Sequence, residues 1–327
     1  NLSSFADLNN AENVLSVTSP DYLGGMQDIR ALSAVCDTFG MPLLVDNAHG
    51  AYLRFLPGEP LHPIALGAAM CCDSAHKTLP VVTGGAYLHL GENAPVQEEA
   101  AVRGALALFG STSPSYLILQ SLDACNRQLT ESYPAGLQRC CSRLSALRGE
   151  LNAAAQAAGC PVPLALDGPG REPLKLTLDA AALGMTGTAL ADALRGGQLE
   201  CEYADPRYVV LMFTPCNPLQ DYARLRTVLR QCLHGLPAAG GLLQPEELAG
   251  EFMALAQQAR AHCTIRQAVF APQERIPVQQ ALGRICAMPT VSCPPAIPIA
   301  VSGEEITPAA LELMQRYGVT EVSVLRR

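Results

Sequence analysis

Apolar and polar positions along the chain fall into two periods, and the changes between them predict an alternation of strands and helices. Residues 13–18, Asn-Val-Leu-Ser-Val-Thr, form a short β-prone run ending at Ser19-Pro20. From Asp28 to Phe39 the apolar residues Ile29, Leu32, Val35 and Cys36 recur at helical spacing, and Gly40 closes that helix. Met41 to Val45 is an apolar run of the kind that makes a strand buried on both faces, with Asp46 at its C-terminal end. After a loop rich in Gly and Pro, Pro57 to Pro63, the apolar run Ile64 to Cys72 leads directly into Asp73-Ser74-Ala75-His76-Lys77. Gly84-Gly85 then turns the chain into a candidate antiparallel strand, Ala86 to Leu90.

Residues 96–109 read as a helix, followed by the polar turn Gly110 to Ser115 and a long helical region from about Ser115 to Ala158, interrupted near Pro134. Leu174 to Leu178 and Val209 to Phe213 read as strands, and Gly187 to Arg195 and Asp221 to Cys232 as helices. Leu236 to Leu243 reads as a linker, Pro245 to His262 as a helix, and Cys286 to Pro298 as extended and loop-like. Pro308 to Tyr317 is a short helix before the strand Glu321 to Leu325. The pattern predicts an α/β protein: a large domain with a mainly parallel sheet over 1–145, a smaller α/β domain over 146–235, and a C-terminal α+β domain over 236–327. Polar residues that follow apolar strands in such a sheet face the edge where ligands bind.

Composition narrows the function classes. With 49% hydrophobic residues the chain can bury a sizeable core, and a net charge of −8 without long runs of one sign argues against a nucleic-acid partner. The most apolar stretch, Ile285 to Val301, contains Pro289, Pro294, Pro295 and Pro298, so no membrane span is expected. The chain begins at Asn1 without a charged-then-apolar leader. Thirteen cysteines include no Cys-x-x-Cys pair, and Cys71-Cys72 and Cys140-Cys141 sit in a strand-like and a helical segment, which suggests free thiols in a reducing cytoplasm. The six histidines show no metal-ligand spacing, and no metal is expected.

Lys77 is one of two lysines, with Lys175, in a chain whose 22 basic residues are otherwise arginine. An amine, unlike a guanidinium, can lose its proton and condense with a carbonyl to form a Schiff base. Asp46 and Lys77, at the ends of neighbouring strands, have the chemistry to bracket an aromatic cofactor, the lysine as an imine and the carboxylate on a pyridinium nitrogen. Blander readings stand beside this one: Asp46 as a turn or helix-capping residue, Lys77 as a solvated loop lysine, His49 and His76 as satisfied polar groups, Ser74 as a local turn hydrogen bond.

Ser74-Ala75-His76-Lys77-Thr78-Leu79-Pro80, with Asp46-Asn47-Ala48-His49-Gly50-Ala51, resembles the signature of the pyridoxal-phosphate-dependent ornithine/lysine/arginine decarboxylases, which share the aspartate-aminotransferase fold. The likeness continues in order: Thr18 to Gly24, Ser111 to Tyr116, Ala204 to Val210, and Cys293 to Pro298 with Gly303-Glu304. It implies decarboxylation of arginine, lysine or ornithine with pyridoxal 5'-phosphate as cofactor. Lys77 would be the lysine joined to the cofactor, Asp46 the partner of its ring nitrogen, and Ala48 a neighbour of the ring, with His49 beside it. Ser74 and His76 would contact the phosphate and its surroundings. The family's shared active sites imply a homodimer or higher homo-oligomer, with Ser111 and Thr112 reaching the partner's phosphate.

The chain also departs from the family pattern. Nothing before Thr18 supplies the family's phosphate loop or ring-stacking histidine, so a fragment or half of a split protein is expected. Cys293 stands where an aromatic residue is common, and Ala296 where glycine is. Two other readings follow: another reaction on this fold, such as an aminotransferase or an aldol-type lyase, or a truncated, non-catalytic partner subunit.

Overall fold

The polar motifs meet at the end of a four-stranded sheet. Its strands are β1 (Leu15–Thr18), β2 (Leu43–Asp46), β3 (Met70–Asp73) and β4 (Tyr87–Leu90), in the order β1-β2-β3-β4. The first two pairings are parallel, with Thr18 opposite Asp46 and Asp46 opposite Cys72; β4 runs antiparallel, with Tyr87 opposite Asp73. The computed structural model describes residues 13–110, 113–234, 255, 257–292 and 297–326.

Two compact units divide the chain, one made of 1–150, 166–177 and 212–219, the other of 151–165, 178–211 and 220–327. In the first unit, helix α1 (Ile29–Thr38) starts at Asp28, whose carboxylate accepts the Ala31 amide hydrogen, and packs Ile29 and Cys36 with Leu43, Val45 and Cys71 of the sheet. That burial holds β1 to β3 in one layer, so their C-terminal ends stay level and side by side.

The apolar run before Lys77 is not one strand, contrary to the expectation from sequence. Pro63–Leu66 forms a 3-10 turn and the strand begins only at Met70. Proline suits the first position of a helical turn, and Gly67 ends it in the left-handed region at φ 104°. A side chain at Gly67 would also strike Ser33 Oγ, which donates to the Gly67 carbonyl at 2.9 Å.

Helix α2 (Ala75–Thr78) is a single turn carrying His76 and Lys77. Helix α3 (Glu99–Phe109) buries none of its residues. The long helical region resolves into α4 (Tyr116–Thr130) and α5 (Tyr133–Ala157), so the break lies just before Pro134, which sits in the first turn of α5.

Strand β5 (Lys175–Asp179) and helix α6 (Gly187–Gly196) precede β6 (Tyr203–Ala204), β7 (Tyr208–Met212) and α7 (Leu219–His234), and the three strands form a sheet ordered β5-β7-β6. Arg207 donates from Nε at 3.1 Å and from Nη2 at 2.6 Å to the buried Asp179 carboxylate, which pins the turn before β7.

In the C-terminal part, Gln273–Pro277 pairs antiparallel with Glu321–Leu325, over a core that includes Ile276, Ile306, Leu313 and Val324. The helix expected up to His262 has ended by then, since Ala261 bridges Glu304 in extended pairing. A short helix, Ile265–Phe270, follows instead, opened by a capping box between Thr264 and Gln267. Thr290–Ser292 and Ile297–Ala300 pair as strands within the segment read as extended. The expected linker at 236–243 and the Cys293 to Ala296 motif lie outside the described residues. Among the described residues the cysteines are free thiols, and no helix is long and apolar enough to cross a membrane.

Candidate active site

The parallel pairing of β2 with β3 puts the two polar motifs next to each other, because each begins where its strand ends. Asp46 closes β2 and is exposed; one carboxylate oxygen accepts the Ala48 amide hydrogen at 3.0 Å. It therefore acts as a turn residue, as the blander reading had it, while its side chain stays open to solvent. Ala48 is half-buried and presents only a methyl group.

His49 is buried, with Nε2 at 3.3 Å from Nζ of Lys77. Its ring meets the Tyr22 ring edge-on, with centroids 4.9 Å apart. Burial, and then the positive charges of Lys175 and Lys77, push its pKa down to about 3, so the imidazole is neutral around pH 7. When Lys77 carries its full set of protons, His49 Nε2 is the acceptor. His49 Nδ1 is buried and has no hydrogen-bond partner.

Lys77 is exposed on the one-turn helix α2, where its amide donates to the Ser74 carbonyl at 3.0 Å. Ser74 precedes that turn half-buried, with no capping hydrogen bond from its hydroxyl. His76 is held by Gly85, whose carbonyl accepts from His76 Nδ1 at 3.0 Å and from its amide at 3.2 Å. A carbonyl only accepts, so His76 Nδ1 carries a proton and donates it. Ser111 and Thr112 lie outside the described residues.

Sequence spacing did not reveal a second ring of residues behind this edge. Lys175 is 3% exposed and donates from Nζ to the carbonyls of Asp21 at 2.8 Å and Tyr22 at 3.2 Å, fixing the loop that presses Tyr22 onto His49. Glu172 is buried beside it, accepting from the Tyr52 hydroxyl and from the Leu174 amide. Burial pushes the Glu172 carboxyl up, against the pull of the Tyr52 hydrogen bond and the Lys175 charge. The rarity of lysine singled out Lys175, but nothing local tied it to residues 21 and 22.

The Orn/Lys/Arg decarboxylase major domain matches residues 3–169, and the C-terminal domain of the same family matches residues 247–319. The chain belongs to the Orn/Lys/Arg decarboxylase family. An arginine decarboxylase of Bacillus subtilis (strain 168) is 30% identical over 302 residues, covering 90% of this chain and 59% of the relative. The constitutive lysine decarboxylase of E. coli superposes with a TM-score of 0.68 at 18% identity, covering 95% of this chain and 58% of that one. An alanine–glyoxylate aminotransferase from Nostoc sp. gives 0.51 at 17% identity, over 67% of this chain and 61% of its own. The chain thus spans about three fifths of the length of these relatives. Its fold is that of the aminotransferase-like decarboxylases, as the resemblance implied, and agrees with the α/β class that the sequence pattern predicts.

Members of the Orn/Lys/Arg decarboxylase family are generally pyridoxal-phosphate-dependent. The donor set fits the ring and aldehyde end of that cofactor: an exposed amine at Lys77, an exposed carboxylate at Asp46 on the adjacent strand end, a methyl group at Ala48 just after it, and a neutral imidazole against the amine.

Proposed function

We propose that this chain carries the cofactor-binding half of a pyridoxal-phosphate-dependent decarboxylase acting on arginine, lysine or ornithine, releasing carbon dioxide and an amine. The observation that supports this most is that Asp46 ends β2 while Lys77 lies on the turn that follows the paired strand β3, with His49 Nε2 at 3.3 Å from the lysine amine. The cofactor, when bound, supplies a positively charged ring that takes up the electron pair left by the departing carboxylate.

Lys77 would hold the cofactor through its amine and give way to the substrate amine. His49, kept neutral by burial and by its cationic neighbours, would accept a hydrogen bond at Nε2 from the Lys77 amine and hold that amine in place. Asp46 would keep the ring nitrogen protonated, and Ala48 would leave room for the ring. Ser74 and His76 would face the phosphate end, His76 with its ring orientation set by Gly85. Ser111 and Thr112 would serve a partner subunit's site.

The exposed apolar residues Leu106, Leu108 and Phe109 of α3 support association with a second copy, as in a dimer with shared active sites. We place the protein in the cytoplasm and divide it at 1–145, 146–235 and 236–327; the C-terminal family match at 247–319 falls inside the third part, while the major-domain match runs past 145 to residue 169.

The test is direct. Adding pyridoxal phosphate to the chain should raise an absorbance band near the visible edge that Lys77→Ala abolishes, and supplying arginine, lysine or ornithine should release carbon dioxide. A keto acid in its place would mark a transamination, and no band under any condition would sink the reading.

A further inference from the structure

Directly behind the ends of β2 and β3 lies a buried carboxylate. Asp73 is 2% exposed, closes β3, and immediately precedes Ser74 and the turn that carries Lys77. Its Oδ1 accepts from Asn47 Nδ2 at 2.6 Å, and its Oδ2 accepts from His62 Nε2 at 3.1 Å and His89 Nε2 at 3.0 Å. Burial pushes the Asp73 carboxyl up, but the hydrogen bonds from His62, His89 and Asn47 outweigh it and hold the group below the usual carboxylate range. A carboxylate can only accept, so both rings present Nε2–H, which agrees with the buried His62 Nδ1 having no partner.

Each donor comes from a different piece of chain. Asn47 directly follows Asp46, His62 ends the loop before the 3-10 turn, and His89 lies on β4. The Asn47 amide also donates to the Cys72 carbonyl at 2.9 Å, carrying the β2–β3 ladder one step past Asp46 before the Asn47 side chain crosses to Asp73.

We infer that Asp73 is a positioning residue that locks the strand end bearing Asp46 to the turn bearing Lys77, setting the separation at which the two can act on one ring. The inference rests on the proposed roles of Asp46 and Lys77. A charge-assisted hydrogen bond is about twice as strong as a neutral one, and removing the carboxylate would strand three donors at once. A shift of about 1 Å at reacting groups can cost on the order of a hundredfold in rate.

The same side chains invite a second interpretation, since the ligand atoms of His62, Cys71 and Asp73 lie within 4.8 Å of one another, as metal ligands do. The geometry favours the lock. Both Asp73 oxygens already receive N–H donors, and burial with the Asp73 charge pushes the Cys71 thiol far up, away from the thiolate a metal needs.

The experiment compares the full chain with Asp73→Asn and Asp73→Ala. Without cofactor, hydrogen exchange of the amides at 47–50 and 74–79 should quicken at least tenfold in Asp73→Ala, while β1 and α1 keep their protection. Asp73→Asn should fall between, because its amide oxygen still serves one donor. With pyridoxal phosphate added, the rate of band formation at Lys77 should fall in the same order. Unchanged exchange at both segments would overturn the proposal, and so would a uniform rise across the first unit, which marks an ordinary core residue. Stoichiometric zinc in the wild-type protein, lost from Asp73→Ala, would also overturn it. If the wild type forms no band, the decarboxylase reading fails while the exchange data still decide the role of Asp73.

Discussion

Nζ of Lys77 stands 3.3 Å from Nε2 of His49, a buried imidazole whose other nitrogen has no partner. The pair joins an exposed amine to a ring that sits against Tyr22, and through Tyr22 to the loop fixed by Lys175. An exposed lysine is thereby given a buried, neutral neighbour.

That neutrality has a pH signature. His49 has a pKa of about 3 in the folded chain against 6.5 as its ordinary value, so the unfolded chain binds a proton that the folded one refuses between those limits. Stability is unaffected by this group above about pH 6.5 and declines as pH falls toward 3. Asp73, with its depressed pKa, contributes stability that is lost only at more acid pH, below the ordinary value of 3.8. His49→Gln should therefore lose less stability than the wild type between pH 7 and pH 5. Urea midpoints at the two pH values check this, and equal losses would refute it.

Gly50 is required by close approach. A Cβ there would collide with Asn47 Oδ1 and lie 2.8 Å from Leu53 Cδ1, and Asn47 cannot swing away without leaving Asp73. Gly50→Ala is expected to destabilise the chain by roughly 1–3 kcal/mol. Calorimetric melting of the two proteins measures it.

Arg207→Met should be costlier, because it leaves the buried Asp179 carboxylate without its cation. Breaking one side of such a pair typically costs about 3–5 kcal/mol, whereas replacing both sides with apolar residues is often near neutral. The double variant Arg207→Met with Asp179→Leu should recover most of the loss in denaturant titrations. A double variant as unstable as the single one would contradict the pairing argument.

Helix α3 exposes Leu108 and Phe109 at 79% and 93% of their surface. If a second copy covers them, Leu108→Ser with Phe109→Ser should shift the protein from dimer toward monomer in light scattering, with the melting temperature of the first unit little changed. A dimer of unaltered affinity would place the contact elsewhere.

What the sequence by itself determined were the features held by local chemistry. Periodicity and turn residues located β1, β2, β4 and helices such as α1, α6 and α7 to within a few positions, and the motifs put Asp46 at the end of β2 and Lys77 just beyond β3. The run Ile64 to Cys72 misled, because proline and a left-handed glycine broke it where hydrophobicity alone showed none. Only the tertiary structure decided which neighbours these residues have. Lys175 donates to carbonyls 154 and 153 residues away in the chain, and Asp73 gathers Asn47, His62 and His89 from three separate segments. A buried charge persists only where distant partners satisfy it, and that condition is set by how the chain packs rather than by the order of its residues.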